Sequence, residues 1–307
     1  MEIILQLLLL ALGFVMLGKG ADWFVEGAAG IAARFGIPQM VIGLTIVAMG
    51  TSAPEAAVSI ASAFQGNADI TIGNIVGSNI MNVLVILGLT AAIRELNVLK
   101  PTIRIDIPFM IAVTVLLWVL GVDGTVSFTD GLILWACFLI YNYRCYHIAK
   151  NSDNVDADEY YGFSGWQTMA WTLGGMALIA VGSEVTVNAA VKIAQVIGIS
   201  ERIIGLTIVA LGTSLPELFT SVTAALKGNP DLAIGNIVGS NIFNILFVVG
   251  TSALLVPIPF AQEFMFDMYS AIATAVLLLL CVLRGKLARW AGILMLAVYA
   301  AYLWHIL

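Results

Sequence analysis

A stretch of 46 residues occurs twice in this chain, and the two copies align without a gap at a constant offset of 162. The copies cover residues 43–88 and 205–250, and 28 of the 46 positions are identical. Each copy is apolar, is interrupted by glycine and proline, and contains one glutamate, Glu55 or Glu217. Duplicated segments of this kind indicate a substrate site between the two repeats of a membrane transporter. The repeat therefore predicts a fold made of two related halves.

The composition predicts an all-α integral membrane protein in contact with the lipid bilayer. Hydrophobic residues make up 61% of the 307 residues and charged residues only 10%, whereas soluble domains carry about 25% charged residues. A bilayer-spanning helix needs about 20 apolar residues, and runs of suitable length predict ten transmembrane helices. These helices are expected at residues 3–33, 37–64, 70–93, 105–121, 130–149, 165–197, 203–225, 232–256, 264–283 and 288–306.

The offset of 162 also divides the chain. We expect a first five-helix half at 1–149, a short cytoplasmic linker at 150–164 and a second half at 165–307. Because five is odd, the second half crosses the membrane in the opposite direction, which makes the halves an inverted repeat. Helices 2, 3, 7 and 8, which carry the repeats, are expected to be broken.

The basic residues predict the orientation in the cytoplasmic membrane. With both termini outside, ten of the thirteen Lys and Arg residues fall on the cytoplasmic side, as the positive-inside rule requires. Lys192 and Arg202 lie outside, and Lys19 lies within the first helix. The ten cytoplasmic residues are Arg34, Arg94, Lys100, Arg104, Arg144, Lys150, Lys227, Arg284, Lys286 and Arg289.

Two prolines beside the glutamates are expected to free backbone carbonyls. Pro54 has no N–H to give to the carbonyl of Gly50, and the same holds for Pro216 and Gly212. Inside a bilayer such carbonyls are tolerated only where another group or a bound ion satisfies them. The C-terminal end of the preceding half-helix also favours a cation.

The glutamates themselves lack a fixed countercharge. A charged side chain at the centre of a transmembrane helix costs about 2.5–3.5 kcal/mol on insertion scales. The single Lys or Arg within either repeat is Lys227, beside Gly228 in a predicted cytoplasmic loop. Glu55 and Glu217 are therefore expected to bind a mobile cation or a proton.

The neighbouring side chains offer only oxygen ligands. Neither repeat contains His or Cys, which disfavours a zinc or copper site. Carboxylate, amide, hydroxyl and carbonyl oxygens suit Ca²⁺, which takes 6–8 such ligands, and they suit Na⁺ equally.

The motif GTSxPE followed by GNxxGSNxxN, present in both halves, resembles the α-repeats of the sodium/calcium exchanger branch of the calcium/cation antiporter superfamily. The match covers both repeats in full and the flanking helices in part. The resemblance implies an antiporter that releases one Ca²⁺ as about three Na⁺ enter, by alternating access. It implies no enzymatic activity, and no cofactor besides the transported ions.

The resemblance also implies roles for individual residues. A central calcium site would use Glu55 and Glu217, with backbone carbonyls near Thr51 and Thr213. Sodium sites would add hydroxyl groups and further carbonyls to these glutamates, and two asparagines would line the central position. The hydroxyl groups are those of Thr51, Ser52, Ser78, Thr213, Ser214 and Ser240, the carbonyls those of Ala48 and Ala210, and the asparagines Asn82 and Asn244.

Position 244 predicts independence from potassium. Some relatives, including potassium-dependent exchangers, have aspartate there, whereas this chain has Asn244, which matches Asn82 in the first half. Because asparagine cannot ionise, the central cluster carries at most two negative charges. Exchange of three Na⁺ for one Ca²⁺ would then move one net charge per cycle.

A proton/calcium antiporter, a cation channel and an enzyme are the alternative functions. A proton/calcium antiporter would bind H⁺ at the two glutamates but would not need the hydroxyl groups, and a cation channel would conduct passively. His147 and His305 lie outside the repeats, which disfavours an enzyme. Asp22 and Glu184 are expected either to line an ion access path or to form caps or ion pairs near the membrane surface. We expect a monomer without a regulatory domain or a nucleic-acid partner.

Overall fold

The computed structural model describes residues 2–65, 69–151, 165–198 and 210–306, and these ranges are almost entirely helical. Three sequence predictions fall partly outside them. The predicted linker is described only to Asn151, and the second repeat and the predicted helix 203–225 are described only from Ala210 onwards.

The described part of the first half contains helices and two short strands. π-helical turns interrupt three of its long helices. In chain order the elements are α1 (Glu2–Phe35), α2 (Gln39–Ile42), π1 (Gly43–Val47), α3 (Ala48–Thr51), α4 (Ala53–Phe64), α5 (Asp69–Met81), π2 (Asn82–Leu87), α6 (Gly88–Ile93), β1 (Leu96–Asn97), π3 (Thr102–Asp106), α7 (Ile107–Gly121), β2 (Thr125–Val126) and α8 (Phe128–Asn151).

The second half has a similar series of elements. They are α9 (Gly165–Val196), α10 (Ala210–Thr213), α11 (Leu215–Leu226), α12 (Pro230–Phe243), π4 (Asn244–Val249), α13 (Gly250–Leu255), β3 (Ile258–Pro259), α14 (Phe264–Val282), β4 (Lys286–Leu287) and α15 (Arg289–Ile306).

The length and apolar character of the helices confirm a helical membrane fold. Within the described ranges, six helices are long and apolar enough to cross a bilayer, and the bent pair at 39–51 and 53–64 adds a seventh if it counts as one span. The six are Ile3–Phe35, Ile70–Ile93, Thr102–Gly121, Gly165–Val196, Pro230–Leu255 and Phe264–Val282.

The second predicted helix is broken at Ser52, as expected. α3 ends at Thr51 and α4 begins at Ala53, and the two axes meet at an angle of 50°. Pro54 lies in the first turn of α4, where its missing N–H removes no helical hydrogen bond. The equivalent Ser214 interrupts the chain between α10 and α11 in the same way.

The prediction that helices 3 and 8 are broken is wrong. α5, π2 and α6 form one continuous helix over 69–93, and α12, π4 and α13 form another over 230–255. No proline occurs between residues 70 and 93 or between 231 and 255, and glycine alone does not remove a helical hydrogen bond. Each helix instead widens into a π-helical turn, which starts at Asn82 or Asn244.

These two continuous helices form the centre of the protein. The apolar window of Pro230–Leu255 is 94% buried and that of Ile70–Ile93 is 78% buried, against 22% for Ile3–Phe35. The long helices α1 and α9 pack closely against each other, because glycines let their backbones approach. A Cβ atom added to Gly175 would lie 2.5 Å from the backbone nitrogen of Phe24, and one added to Gly20 would lie 2.8 Å from that of Ile179.

Two short strand pairs lie at opposite ends of helices α7 and α14. β1 pairs with β4 and β2 pairs with β3, both in antiparallel register. α7 connects β1 to β2, and α14 connects β3 to β4. Each strand pair therefore joins an element of the first half to one of the second.

Candidate ion-binding site

The two glutamates of the repeats are completely buried. Glu55 lies in the first turn of α4 and Glu217 in the first turn of α11, and both side chains are 0% exposed. Their position follows from the break in each helix, because the residues after Ser52 and Ser214 begin a new helix inside the protein.

Each glutamate accepts a hydrogen bond from the serine of the other repeat. The Ser52 hydroxyl donates to Glu217 Oε1 at 2.7 Å, and the Ser214 hydroxyl donates to Glu55 Oε1 at 3.3 Å. Residues that are 159 or 165 positions apart in sequence thus form one buried polar cluster. The two halves contribute equivalent residues to it.

The second oxygen of each carboxylate has no partner in the described part of the chain. Oε2 of Glu55 and Oε2 of Glu217 are buried and make no hydrogen bond to any residue there. Among the described residues, no basic side chain lies within 4.0 Å of either carboxylate. These residues also contain no cluster of three or more His, Cys, Asp or Glu side chains that could hold a metal ion. Because Oε2 of each glutamate lacks a partner among these residues, the site can offer free carboxylate oxygens to a cation that prefers oxygen ligands.

Several of the predicted hydroxyl and carbonyl ligands lie in this region. The Thr51 hydroxyl donates to Asn236 Oδ1 at 2.9 Å, and the Ser240 hydroxyl approaches the Ala48 carbonyl at 3.5 Å. Ser78 is buried on α5. Thr213 is half-buried at the end of α10, the helix that begins at Ala210.

Asn82 and Asn244 are fully buried at the first position of their π-helical turns. Their side-chain nitrogens donate hydrogen bonds to the other half, whereas Oδ1 of each has no partner within the described ranges. π2 contacts α11 and π4 contacts α4. Each unpartnered amide oxygen is therefore on an element that packs against a helix carrying one of the glutamates.

Four asparagines near the site were not among the predicted ligands. Oδ1 of Asn79 and of Asn241 accepts a hydrogen bond from a central asparagine, and Asn236 Oδ1 accepts the bond from Thr51. Asn74 and Asn236 are equivalent in sequence, and each donates to a serine of its own half, Ser59 or Ser221. Their presence at the same place in both copies of GNxxGSN is the sequence signal that could have identified them.

One of the two carbonyls that the sequence predicts to be free accepts a hydrogen bond from a residue outside the repeat. The Ser183 hydroxyl, on α9, donates to the Gly212 carbonyl at 2.8 Å. The equivalent position in the first half is Ala21, which has no hydroxyl group. The carbonyls of Gly50 and Gly212 are therefore in different surroundings, and the repeat alone gives no indication of Ser183.

The carboxylate of Asp22 is not isolated, because it forms ion pairs with lysine side chains. Its carboxylate lies 3.3 Å from Lys227 Nζ and 4.0 Å from Lys19 Nζ, and Glu26 on the same helix lies 2.6 Å from Lys227 Nζ. Glu184 on α9 is exposed. Of the two roles considered for Asp22, ion pairing is the one that these contacts favour.

A helical membrane fold with one buried, uncompensated glutamate in each of two equivalent segments is typical of a secondary transporter. Comparison with known proteins is consistent with this class. The family described as "Sodium/calcium exchanger protein" matches residues 5–146 and 168–307, and the chain belongs to this family of membrane antiporters.

Individual relatives match over most of the chain. The sodium/calcium exchanger MaX1 of Methanosarcina acetivorans is 33% identical over 98% of both chains. The inner membrane protein YrbG of Escherichia coli is 37% identical over 81% of this chain and 79% of its own length. A solved structure of the sodium-calcium exchanger NCX_Mj is 34% identical and superposes with a TM-score of 0.88 over 99% of this chain and 100% of that one.

Proposed function

We propose that this protein exchanges Na⁺ for Ca²⁺ across the cytoplasmic membrane by alternating access, with about three Na⁺ moved for each Ca²⁺. One observation carries the proposal: two buried carboxylates, one from each half, each have a free oxygen and no basic partner among the described residues. Sodium/calcium exchange by relatives such as MaX1 supports it.

The charge of the site provides a reason for coupled exchange. With Glu55 and Glu217 ionised and no cation bound, the protein would hold two uncompensated charges in a low-dielectric interior, which is costly. One Ca²⁺ or several Na⁺ ions remove that cost. We therefore expect the loaded site to change its membrane access readily and the empty ionised site to do so rarely.

The equivalent elements of the two halves support an inverted arrangement of ten helices. β1 and β3 are equivalent at the offset of 162, yet they belong to strand pairs at opposite ends of α7. α1 and α9 are also equivalent, and they pack antiparallel, with Gly13 next to Gly182 and Gly30 next to Thr168. The proposed halves are residues 1–149 and 165–307, with both termini outside.

Asn244 supports potassium independence and electrogenic exchange. An uncharged residue at this position leaves the two glutamates as the acidic groups of the proposed site. Moving one net charge per cycle would couple transport to the membrane potential by about 2.3 kcal/mol per 100 mV.

The direct test is Ca²⁺ uptake into proteoliposomes loaded with Na⁺, K⁺ or choline, with and without a pH gradient. We expect uptake that requires internal Na⁺, does not change when K⁺ is removed, and is faster with an inside-positive potential because net positive charge leaves. Uptake driven by a proton gradient without Na⁺ would contradict the proposal in favour of proton exchange. Non-saturating flux without any opposing ion gradient would indicate a channel.

A further inference from the structure

Four buried asparagine side chains form a hydrogen-bonded group across the two halves, which we call the amide quartet: Asn79, Asn82, Asn241 and Asn244. Asn79 Nδ2 donates to the backbone carbonyl of Asn241 at 3.1 Å, and Asn241 Nδ2 donates to that of Asn79 at 3.1 Å. Asn82 Nδ2 donates to Asn241 Oδ1 at 3.0 Å, and Asn244 Nδ2 donates to Asn79 Oδ1 at 3.2 Å.

The backbone carbonyls determine the orientation of every amide in the quartet. A carbonyl oxygen only accepts hydrogen bonds, so the end of Asn79 and of Asn241 that faces it must be the nitrogen. Oδ1 of Asn79 and of Asn241 is then left as an acceptor for the other half. The amide of Asn82 or Asn244 must therefore present its nitrogen to that acceptor.

The consequence is that two oxygen atoms are turned away from the quartet. Oδ1 of Asn82 and Oδ1 of Asn244 are buried and have no partner among the residues that the structure describes. An amide that could rotate freely would offer a cation either its oxygen or its NH₂ group, and only the oxygen is a ligand. Buried polar atoms are rarely left without a partner in native proteins.

We propose that Asn79 and Asn241 are positioning residues, which fix Asn244 and Asn82 so that their amide oxygens face the transported cation. The inference rests on the proposed function. Each positioning residue acts on an asparagine of the opposite half. The central ligands of one half therefore keep their orientation only while the other half is packed against them.

The test is a double-mutant cycle on direct Ca²⁺ binding, measured by isothermal titration calorimetry of the purified full-length protein. Asn241→Leu removes the acceptor of Asn82 at nearly constant volume, and we expect it to raise the Ca²⁺ dissociation constant about tenfold. If Asn241 acts through Asn82, the Asn82→Leu/Asn241→Leu double variant will bind Ca²⁺ as weakly as Asn82→Leu alone.

The pairing of the quartet supplies the control. Asn79→Leu is expected to lose its effect in an Asn244→Leu background and to keep most of it in an Asn82→Leu background. A purely structural role would lower the thermal unfolding midpoint and give effects that multiply in every background, which would overturn the proposal. Asn241→Ser, which is smaller, replaces Asn241→Leu if the latter does not fold.

Measurements of binding and of transport distinguish a failure of the positioning role from a failure of the proposed function. If the unaltered protein binds Ca²⁺ but shows no Na⁺-dependent uptake, the proposed function fails, and the cycle still decides the positioning role. If Asn241→Leu binds Ca²⁺ as the unaltered protein does, the positioning role fails whatever the transport result. Absence of any Ca²⁺ binding by the unaltered protein would overturn both.

Discussion

The hydroxyl of Ser52 donates a 2.7 Å hydrogen bond to Glu217 Oε1, across 165 positions of sequence and from one half of the protein to the other. The equivalent bond from Ser214 to Glu55 is longer, at 3.3 Å. Each carboxylate thus accepts a hydrogen bond from a serine of the other half. A relative shift of the halves would change the surroundings of both glutamates together.

The unequal lengths of these bonds predict unequal effects of removing them. A hydrogen bond to a charged group contributes about 1.5–3 kcal/mol, so Ser52→Ala is expected to raise the half-saturating Ca²⁺ concentration about tenfold or more. Ser214→Ala is expected to raise it less. The measurement is Na⁺-dependent Ca²⁺ uptake into proteoliposomes over a range of Ca²⁺ concentrations.

Ser252 is a matched control for the serine variants. It is fully buried, and its hydroxyl makes no hydrogen bond among the described residues. Ser252→Ala should leave the half-saturating Ca²⁺ concentration within about twofold. An equal loss in all three variants would show that removing any buried hydroxyl has the same effect, and would argue against a specific role for Ser52.

The glutamates themselves are expected to be indispensable. Glu55→Gln and Glu217→Gln keep the shape of the side chain and an acceptor for the serine, but each removes one negative charge from the site. We predict that either change abolishes Na⁺-dependent Ca²⁺ uptake while the thermal unfolding midpoint in detergent stays the same or rises, because an uncompensated buried charge is removed.

Exposed Glu263 provides the comparison for these charge changes. Glu263→Gln alters the net charge of the protein equally but lies outside the buried cluster, and it should retain full uptake. Robust transport by either Glu55→Gln or Glu217→Gln would exclude that glutamate from the ion site.

The contact between α1 and α9 should depend on single glycines. A methyl group on Gly175 would collide with the backbone of Phe24, whereas one on the adjacent Gly174 would meet no described atom within 4 Å. Overpacking of this kind costs about 1–3 kcal/mol. Gly175→Ala is therefore expected to lower the thermal unfolding midpoint in detergent, and Gly174→Ala is expected to leave it unchanged or raise it slightly.

The ion pairs of Lys227 link α1 to the end of α11. Lys227 is partly exposed, and exposed pairs contribute about 0–1 kcal/mol. Asp22→Asn and Glu26→Gln should therefore lower the unfolding midpoint slightly, more at low salt than at high salt, and keep Na⁺-dependent uptake within about twofold. A large loss of uptake at unchanged stability in Asp22→Asn would instead favour the ion access path.

The local features of the two repeats could be recognised from residue types alone. Pro54 predicts the helix break because the missing N–H acts on its own chain within one turn. The burial of Glu55 and Glu217 follows from their apolar neighbours in sequence. The π-helical turns are not predictable in this way, because the chain widens at Asn82 and Asn244 without losing its helical course and no residue type is specific for such a turn.

The contacts between the halves were decided by the tertiary structure. Which serine bonds which glutamate, and which asparagine holds which amide, depends on the packing of residues about 160 positions apart. A hydroxyl or amide group can serve any acceptor within reach, and its residue type does not specify that acceptor. The sequence by itself determined which groups are buried in the membrane, and only the packing of one half against the other determined their partners.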